Sequence, residues 1–363
     1  MKKVLILANS SEGFYDFRRE LVEELVKQYQ VFISVPEEEG ATEKLREEGC
    51  FIFCTKMNRR GMNPVQDLGL LMSYRKLIRE IHPDCILTYT IKPNIYGGLA
   101  ASMQGIPFLS TITGLGTAFQ HQGLVNRLVK LLYKMAFRRA FAVFFQNRRN
   151  WDIFKENHLI RGKVRVVPGS GVNLDRHPKE AYPGRDRPRF LYVGRLMKEK
   201  GIEEFLHAAK TYAKRAEFVI IGDYEEDYRS QVERGCEEGW LVFRGHQRDM
   251  HSFYQKADAV IVASYHEGMS NVLLEAASTA RPVLATNISG CREGVEDRIT
   301  GLLFSPGSKE ALGKAVEEFL EMTCEERETM GKEARRKMEQ EFDRYQVAAA
   351  YLEEIKNAIE AAE

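Results

Sequence analysis

Short apolar runs alternate with stretches of helical periodicity along almost the whole chain. In the first half the runs are VLILA (4–8), QVFISV (30–35), CFIFC (50–54), CILTY (85–89), PFLSTIT (107–113), AVFFQ (142–146) and KVRVVP (163–168). Between them lie segments such as FRRELVEELVKQY (17–29) and DLGLLMSYRKLIREI (67–81), whose apolar residues recur every three to four positions. Buried strands alternating with amphipathic helices predict a parallel sheet covered on both faces.

A turn-rich stretch, GSGVNLDRHPKEAYPGRDRPR (169–189), breaks the pattern and reads as a linker. The alternation then resumes with FLYVG (190–194), EFVIIG (217–222), WLVFRG (240–245), AVIVAS (259–264), PVLAT (282–286) and GLLF (301–304). The expected architecture is two doubly wound α/β domains, 1–170 and 171–344, facing across a cleft. The final high-propensity helix, 345–363, is expected to return to the first domain. Ligands of such sheets bind beyond the carboxyl ends of the strands.

Composition narrows the class. With 44% hydrophobic and 29% charged residues the chain is globular, and a net charge of +1 argues against a nucleic-acid partner. The charge is uneven: from 85 to 151 there is no Asp or Glu, while Lys92, Arg127, Lys130, Lys134, Arg138, Arg139, Arg148 and Arg149 all fall there. The six cysteines form no zinc-type spacing, and a chain of this length needs no disulfide staples, which suits a cytoplasmic setting. The first apolar run meets polar Asn9 too soon for a signal peptide, and no run approaches a bilayer-spanning length, so any membrane contact is expected to be peripheral, at the inner face.

Two loops carry candidate chemistry. In YVGRLMKEKG (192–201) a strand ends at Gly194, and Arg195 and Lys200 precede a helix; two cations beside a helix N-terminus suit a diphosphate, although an ordinary loop with solvated charges fits the motif equally well. In SYHEGMSNVLLEAAS (264–278) Glu267 lies in a glycine turn, Ser270 is a good N-cap, and Glu275 sits in an apolar helical run where an unpaired carboxylate is costly. The backbone N–H groups of Met269 and Ser270 are expected to meet a polar ligand beside Glu267. Carboxylates suit vicinal hydroxyls, which points to a sugar and a ribose.

The spacing S-x-x-E-G-x-S-x-x-x-L-E-A, followed by RPVLATNISGCREGVEDRITGLLF (281–304) and preceded by GRLMKEKG, resembles the retaining glycosyltransferase family 4, with its GT-B fold of two Rossmann-like domains. TYTIKPNIYGGLAA (88–101) and STITGLG (110–116) make it similar to bacterial enzymes of capsule, O-antigen and N-glycan assembly. The resemblance implies transfer from a nucleotide sugar, a UDP-sugar such as UDP-HexNAc, to a polyprenyl-diphosphate-linked glycan; no cofactor is expected, and the lack of any D-x-D pair, the usual metal holder of the other major glycosyltransferase fold, argues against a required metal. It makes Arg195 and Lys200 diphosphate ligands and Glu275 the ribose ligand. Glu267, with Gly268 to Asn271, holds the donor sugar, and Arg195, Lys200 and Glu267 carry the catalytic burden. Gly13, Gly194 and Arg244 complete the expected donor contacts. Where many relatives have a first-domain His, this chain has Thr113 and Gly114, so the acceptor-side contact stays open among Thr113, Gly114, Lys92 and His121.

On GLVNRLVKLLYKMAFRRA (123–140) the cations Arg127, Lys130, Lys134 and Arg138 fall in a stripe about 80° wide, with Leu124, Leu128, Leu131, Leu132 and Met135 beside it. Two readings stand: a helix lying on an anionic membrane, and a core helix with a solvated polar face. The rival functions are a nucleotide-sugar epimerase on the same architecture and a non-catalytic sugar-nucleotide sensor. A hydrolase and a dinucleotide oxidoreductase fit less well, the latter because no G-x-G-x-x-G follows either first strand.

Overall fold

The computed structural model describes residues 1–38, 40–58, 63–115 and 123–363. The chain divides into two compact units, Met1–Ser170 with Tyr345–Glu363, and Gly171–Arg344. In the first unit the strands β1 (Lys3–Leu7), β2 (Gln30–Val35), β3 (Phe51–Cys54), β4 (Cys85–Tyr89), β5 (Phe108–Ile112), β6 (Ala142–Phe145) and β7 (Lys163–Val166) form one parallel sheet, in the order β3-β2-β1-β4-β5-β6-β7. Its helices are α1 (Ser11–Val26), α2 (Ala41–Glu47), α3 (Pro64–Ile81), α4 (Gly98–Gln104), α5 (Leu124–Ala136) and α6 (Arg148–Glu156).

Successive side chains of a strand point to opposite faces, and both faces are buried here. Val4 and Ile6 pack with Leu21 of α1 and Leu45 of α2, whereas Leu5 and Leu7 pack with Leu70 and Tyr74 of α3, Ala100 of α4 and Tyr133 of α5. That two-sided burial explains why the strands read as continuous apolar runs instead of alternating ones.

The second unit repeats the scheme. Its strands β8 (Arg189–Val193), β9 (Glu217–Ile221), β10 (Val242–Phe243), β11 (Ala259–Val262), β12 (Val283–Thr286) and β13 (Gly301–Phe304) are ordered β10-β9-β8-β11-β12-β13, again parallel. The helices are α7 (Ile202–Tyr212), α8 (Arg229–Glu237), α9 (His251–Lys256), α10 (Asn271–Ser278), α11 (Lys309–Glu321) and α12 (Cys324–Glu341). The expected strand WLVFRG shrinks to two residues in β10, an edge strand paired only with β9.

The last helix, α13 (Arg344–Glu360), belongs to the first unit from Tyr345 onward. Tyr351 stacks on Phe144 with ring centroids 4.0 Å apart, and its hydroxyl lies 2.9 Å from that of Thr111. Fully buried Glu354 meets Lys163 at 2.7 Å and Arg165 at 3.1 Å on β7. In each sheet the direction of winding reverses beside the first strand, between β1 and β4 and between β8 and β11, and loops at such a switch point open a crevice for ligands. Among the described residues no helix is long and apolar enough to cross a membrane.

Candidate functional site

Of the predicted donor residues, Gly194, Arg195, Lys200 and Glu267 to Asn271 lie at the β8/β11 switch point, whereas Gly13 and Arg244 do not. After β8 the chain passes Gly194 and Arg195, makes a single 3-10 turn (Lys198–Lys200), and enters α7 through Gly201. Gly201 has φ +72° and is packed so tightly that a Cβ would lie 2.2 Å from the carbonyl oxygen of Ala263, at the end of β11. Only glycine fits that contact. It brings Lys200 beside the loop after β11, where its ammonium donates to Glu267 Oε1 at 2.6 Å, both side chains being half-buried. Arg195 is more exposed and meets Glu225 Oε2 at 3.2 Å; buried Tyr192 donates to the Arg195 carbonyl at 3.0 Å and fixes the turn.

Gly222 packs its backbone on the same turn, since a Cβ there would meet the Gly194 carbonyl at 1.9 Å. From the other side, a Cβ on Gly290 would lie 2.8 Å from the carbonyls of both Glu267 and Gly268. Glycines in three neighbouring loops thus let backbone close on backbone around the two cations.

Ser270 caps α10 as expected, its hydroxyl accepting from Leu273 N. One expectation is corrected here: the Ser270 N–H donates to the Gly290 carbonyl at 3.0 Å, so it braces the loop and is not presented to a ligand. Met269 is likewise buried in the core, while Gly268 and Asn271 stay half-buried at the rim. Arg244 is exposed at the end of β10, where its carbonyl accepts from the Gln247 side chain at 2.7 Å.

Glu275 finds a protein partner that the sequence did not announce. The hydroxyl of Tyr254, on α9, donates to Glu275 Oε2 at 2.7 Å. Burial, then the Glu275 charge, pushes the Tyr254 phenol well above its usual range, so it stays a neutral donor. Tyr254 is fixed in turn by Arg281, fully buried, whose guanidinium donates to the carbonyls of Tyr254, Gln255, Ala181 and Ala280. Burial lowers the pKa of Arg281 to about 10. The RP pair after α10 therefore aims Glu275 from behind.

The first unit places its candidates differently. Gly13 lies in the first turn of α1, where its N–H donates to Ser10 Oγ at 3.1 Å; beside it Glu38 accepts from the hydroxyls of Ser10 and Ser11 and from Glu12 N. Lys92 lies past β4, nearly buried, with its ammonium 2.8 Å from Asp67 Oδ1, while Tyr96 donates to the other oxygen at 3.1 Å. Lys92 and Asp67 line a cavity of about 450 Å³, with Lys56, Asn58, Gln66 and Ser73. Thr113 and Gly114 follow β5 and are half-buried; His121 lies outside the described residues.

Three features near Lys92 were missed. Thr90 is left-handed, φ +70°, a conformation a β-branched residue adopts only under constraint. Pro93–Gly97 is a π-helical turn, and its Asn94 is fully buried, accepting from Thr88 and donating to the Thr111 carbonyl. The KPN triplet was the available signal, and its Asn clamps the ends of β4 and β5. Among the described residues, no three His, Cys, Asp or Glu side chains group as a metal-binding set.

The family described as Glycosyl transferase 4-like matches residues 3–147, and that described as Glycosyl transferases group 1 matches 187–322. The alpha-D-kanosaminyltransferase of Streptomyces kanamyceticus is 32% identical over 282 residues, covering 70% of this chain and 72% of that protein. The chain belongs to the glycosyltransferases. Over 337 residues this glycosyltransferase is 26% identical to the N,N'-diacetylbacillosaminyl-diphospho-undecaprenol alpha-1,3-N-acetylgalactosaminyltransferase of Campylobacter jejuni, with 88% of this chain and 89% of that one aligned. Its GT-B fold is shared with HepE of Anabaena, solved in complex with UDP-glucose, at TM-score 0.82 and 18% identity over 98% of this chain and 100% of that one.

Proposed function

We propose that this glycosyltransferase moves a hexose or N-acetylhexosamine from a UDP-sugar to a sugar carried on polyprenyl diphosphate, at an anionic membrane surface and with retention of anomeric configuration. The observation that carries it is the convergence at the β8/β11 switch point of two cations, Arg195 and Lys200, with Glu267, while Tyr254 aims Glu275 on the next helix. The lipid-linked acceptor named for the Campylobacter relative and the UDP-glucose of the Anabaena complex support the same reading.

In this reading Arg195 forks across two diphosphate oxygens, and Lys200, which has three donors, serves Glu267 and a phosphate oxygen together. As the bond between the sugar carbon and the phosphate oxygen breaks, the negative charge left on the phosphate is met by cations already in place. The acceptor hydroxyl attacks from the same face, and its proton passes to the departing phosphate. Glu267 holds the donor sugar and Glu275 the ribose hydroxyls. On the acceptor side, Lys92 and Asp67 offer a donor and an acceptor inside one cavity, a pairing suited to sugar hydroxyls. No step uses a metal or other cofactor, so transfer is expected to persist in EDTA.

Incubation with a panel of UDP-sugars and short-chain polyprenyl-diphosphate glycans, followed by mass spectrometry, tests the proposal. One sugar added to the acceptor, with release of UDP, is the expected result. A donor converted to its epimer without an acceptor, or nucleotide bound without turnover, overturns it.

A further inference from the structure

The loop after β11 (264–270) is tied at both ends and in between. The Ser264 carbonyl accepts from buried Thr286 Oγ1 at 2.6 Å, and at the far end the Ser270 N–H donates to Gly290. Two further ties fall on Tyr265. Its N–H donates to the Glu199 carbonyl at 2.9 Å, and its hydroxyl donates at 2.7 Å to Oε1 of Glu204, in the first turn of α7. Glu199 directly precedes Lys200 and Glu204 follows it in the chain, so Tyr265 grips the segment that carries Lys200 on either side of it. Glu267, just beyond Tyr265 in the same loop, is thereby set against the Lys200 ammonium at 2.6 Å.

Glu204 is a poor residue to keep for stability alone. It is 3% exposed, and among the described residues its Oε2 is buried without a hydrogen-bond partner. A buried carboxylate with one oxygen unpaired is unfavourable, and the N-terminal end of α7 offsets only part of that cost. An apolar pair of similar shape in place of Tyr265 and Glu204 would hold the fold as well or better. Burial, then the hydrogen bond to Glu204, raises the Tyr265 phenol above its usual range, so it stays protonated and donating. Departures of this kind from the rules of stability collect at functional sites.

We infer that Tyr265 and Glu204 are a positioning pair: through the loop they set Glu267 against Lys200, so that the donor sugar and the phosphate it leaves are held in register. Neither residue touches the substrate in this role. The inference deepens the donor-site reading and rests on it for what the placement serves, while the placement itself stands on the hydrogen bonds alone. Its effect is confined to the sugar. UDP by itself meets Arg195 and Lys200, and the turn of Lys200 is held by the close contact of Gly201 with Ala263. A UDP-sugar also needs Glu267 in place, so a loosened Tyr265 weakens the sugar nucleotide and the transition state but not UDP.

Two variants of the full chain test it, with kinetics, calorimetry and urea denaturation side by side. Tyr265→Phe keeps the ring and removes the hydroxyl; Tyr265→Phe/Glu204→Met makes both partners apolar. Each is expected to lower kcat/KM for transfer about 10- to 100-fold and to weaken UDP-sugar binding severalfold, with UDP affinity kept. The urea midpoint of the double variant is expected at or above that of the wild type. In a Glu267→Gln background Tyr265→Phe should cost no further UDP-sugar affinity, because residues that act through one another are not additive. A loss of affinity as large in that background as outside it, a loss shared equally by UDP and UDP-sugar, or wild-type kcat/KM in Tyr265→Phe/Glu204→Met would each overturn the inference. Absence of product from the wild-type protein with every donor would overturn the transfer reading instead, and the ratio of UDP-sugar to UDP affinity would still report on the pair.

Discussion

Arg195 and Glu275 illustrate two ways of placing a charge. Arg195 is half-exposed and paired with Glu225, a contact worth at most about 1 kcal/mol of stability. Its replacement by Ala should therefore cost no more than that in stability while kcat/KM falls about 10²- to 10³-fold, as when an oxyanion donor is removed. Arg195→Lys should recover only part of that loss, since an ammonium cannot fork across two oxygens. Steady-state kinetics beside urea denaturation check both halves. Glu275 instead depends on buried Tyr254. Tyr254→Phe removes a hydrogen bond to a charged group, so stability should fall by about 1.5–3 kcal/mol. UDP should bind several-fold more weakly by calorimetry, with kcat at saturating donor nearly kept. Unchanged UDP affinity in this variant would separate Tyr254 from the ribose contact.

At the scale of elements, the loops around the switch point close because particular residues have no side chain. Gly201→Ala would force a Cβ against the Ala263 carbonyl and hold an alanine at φ +72°. The expected cost is about 2–4 kcal/mol in urea denaturation, together with weakened nucleotide binding as Lys200 shifts from Glu267. The central strands were legible, because burial on both faces leaves an uninterrupted apolar run, whereas at the sheet edge WLVFRG kept only the two residues of β10. Helix starts were less so: α1 begins at Ser11 and not at 17, since its first turn is polar and held by the Ser10 cap rather than by an apolar stripe. On α5 the helical plot set leucines beside lysines but could not say which side faces the sheet. The core takes Tyr133 and two small apolar residues, with Leu132 half-buried against it, and leaves Leu124, Leu128 and Leu131 outside, where α5 packs on the π-helical turn and α4. Tyr254 was out of reach for a similar reason: its bond to Glu275 joins separate helices and follows no local periodicity.

At the scale of the whole molecule, six phenols among the described residues are buried to 3% exposure or less. Tyr74, Tyr89, Tyr133, Tyr192, Tyr254 and Tyr351 are all pushed above the ordinary tyrosine range, chiefly by burial. An unfolded phenol ionises near pH 10. Above that pH the unfolded chain holds fewer protons than the native one, so stability falls as pH rises; below it, these groups carry their full contribution. Alkaline titration should show the tyrosinate absorbance of these six appearing together with the loss of far-UV circular dichroism, not before it. The same interiors keep the second unit's strands in register and hold the ends of β8 and β11 where Arg195, Lys200 and Glu267 can act together. The most direct measurement is the structure of the chain with a UDP-sugar bound. Diphosphate oxygens within hydrogen-bonding distance of Arg195 and Lys200, and ribose hydroxyls on Glu275, are the predicted result; nucleotide seated elsewhere, with Arg195 still on Glu225, would contradict it.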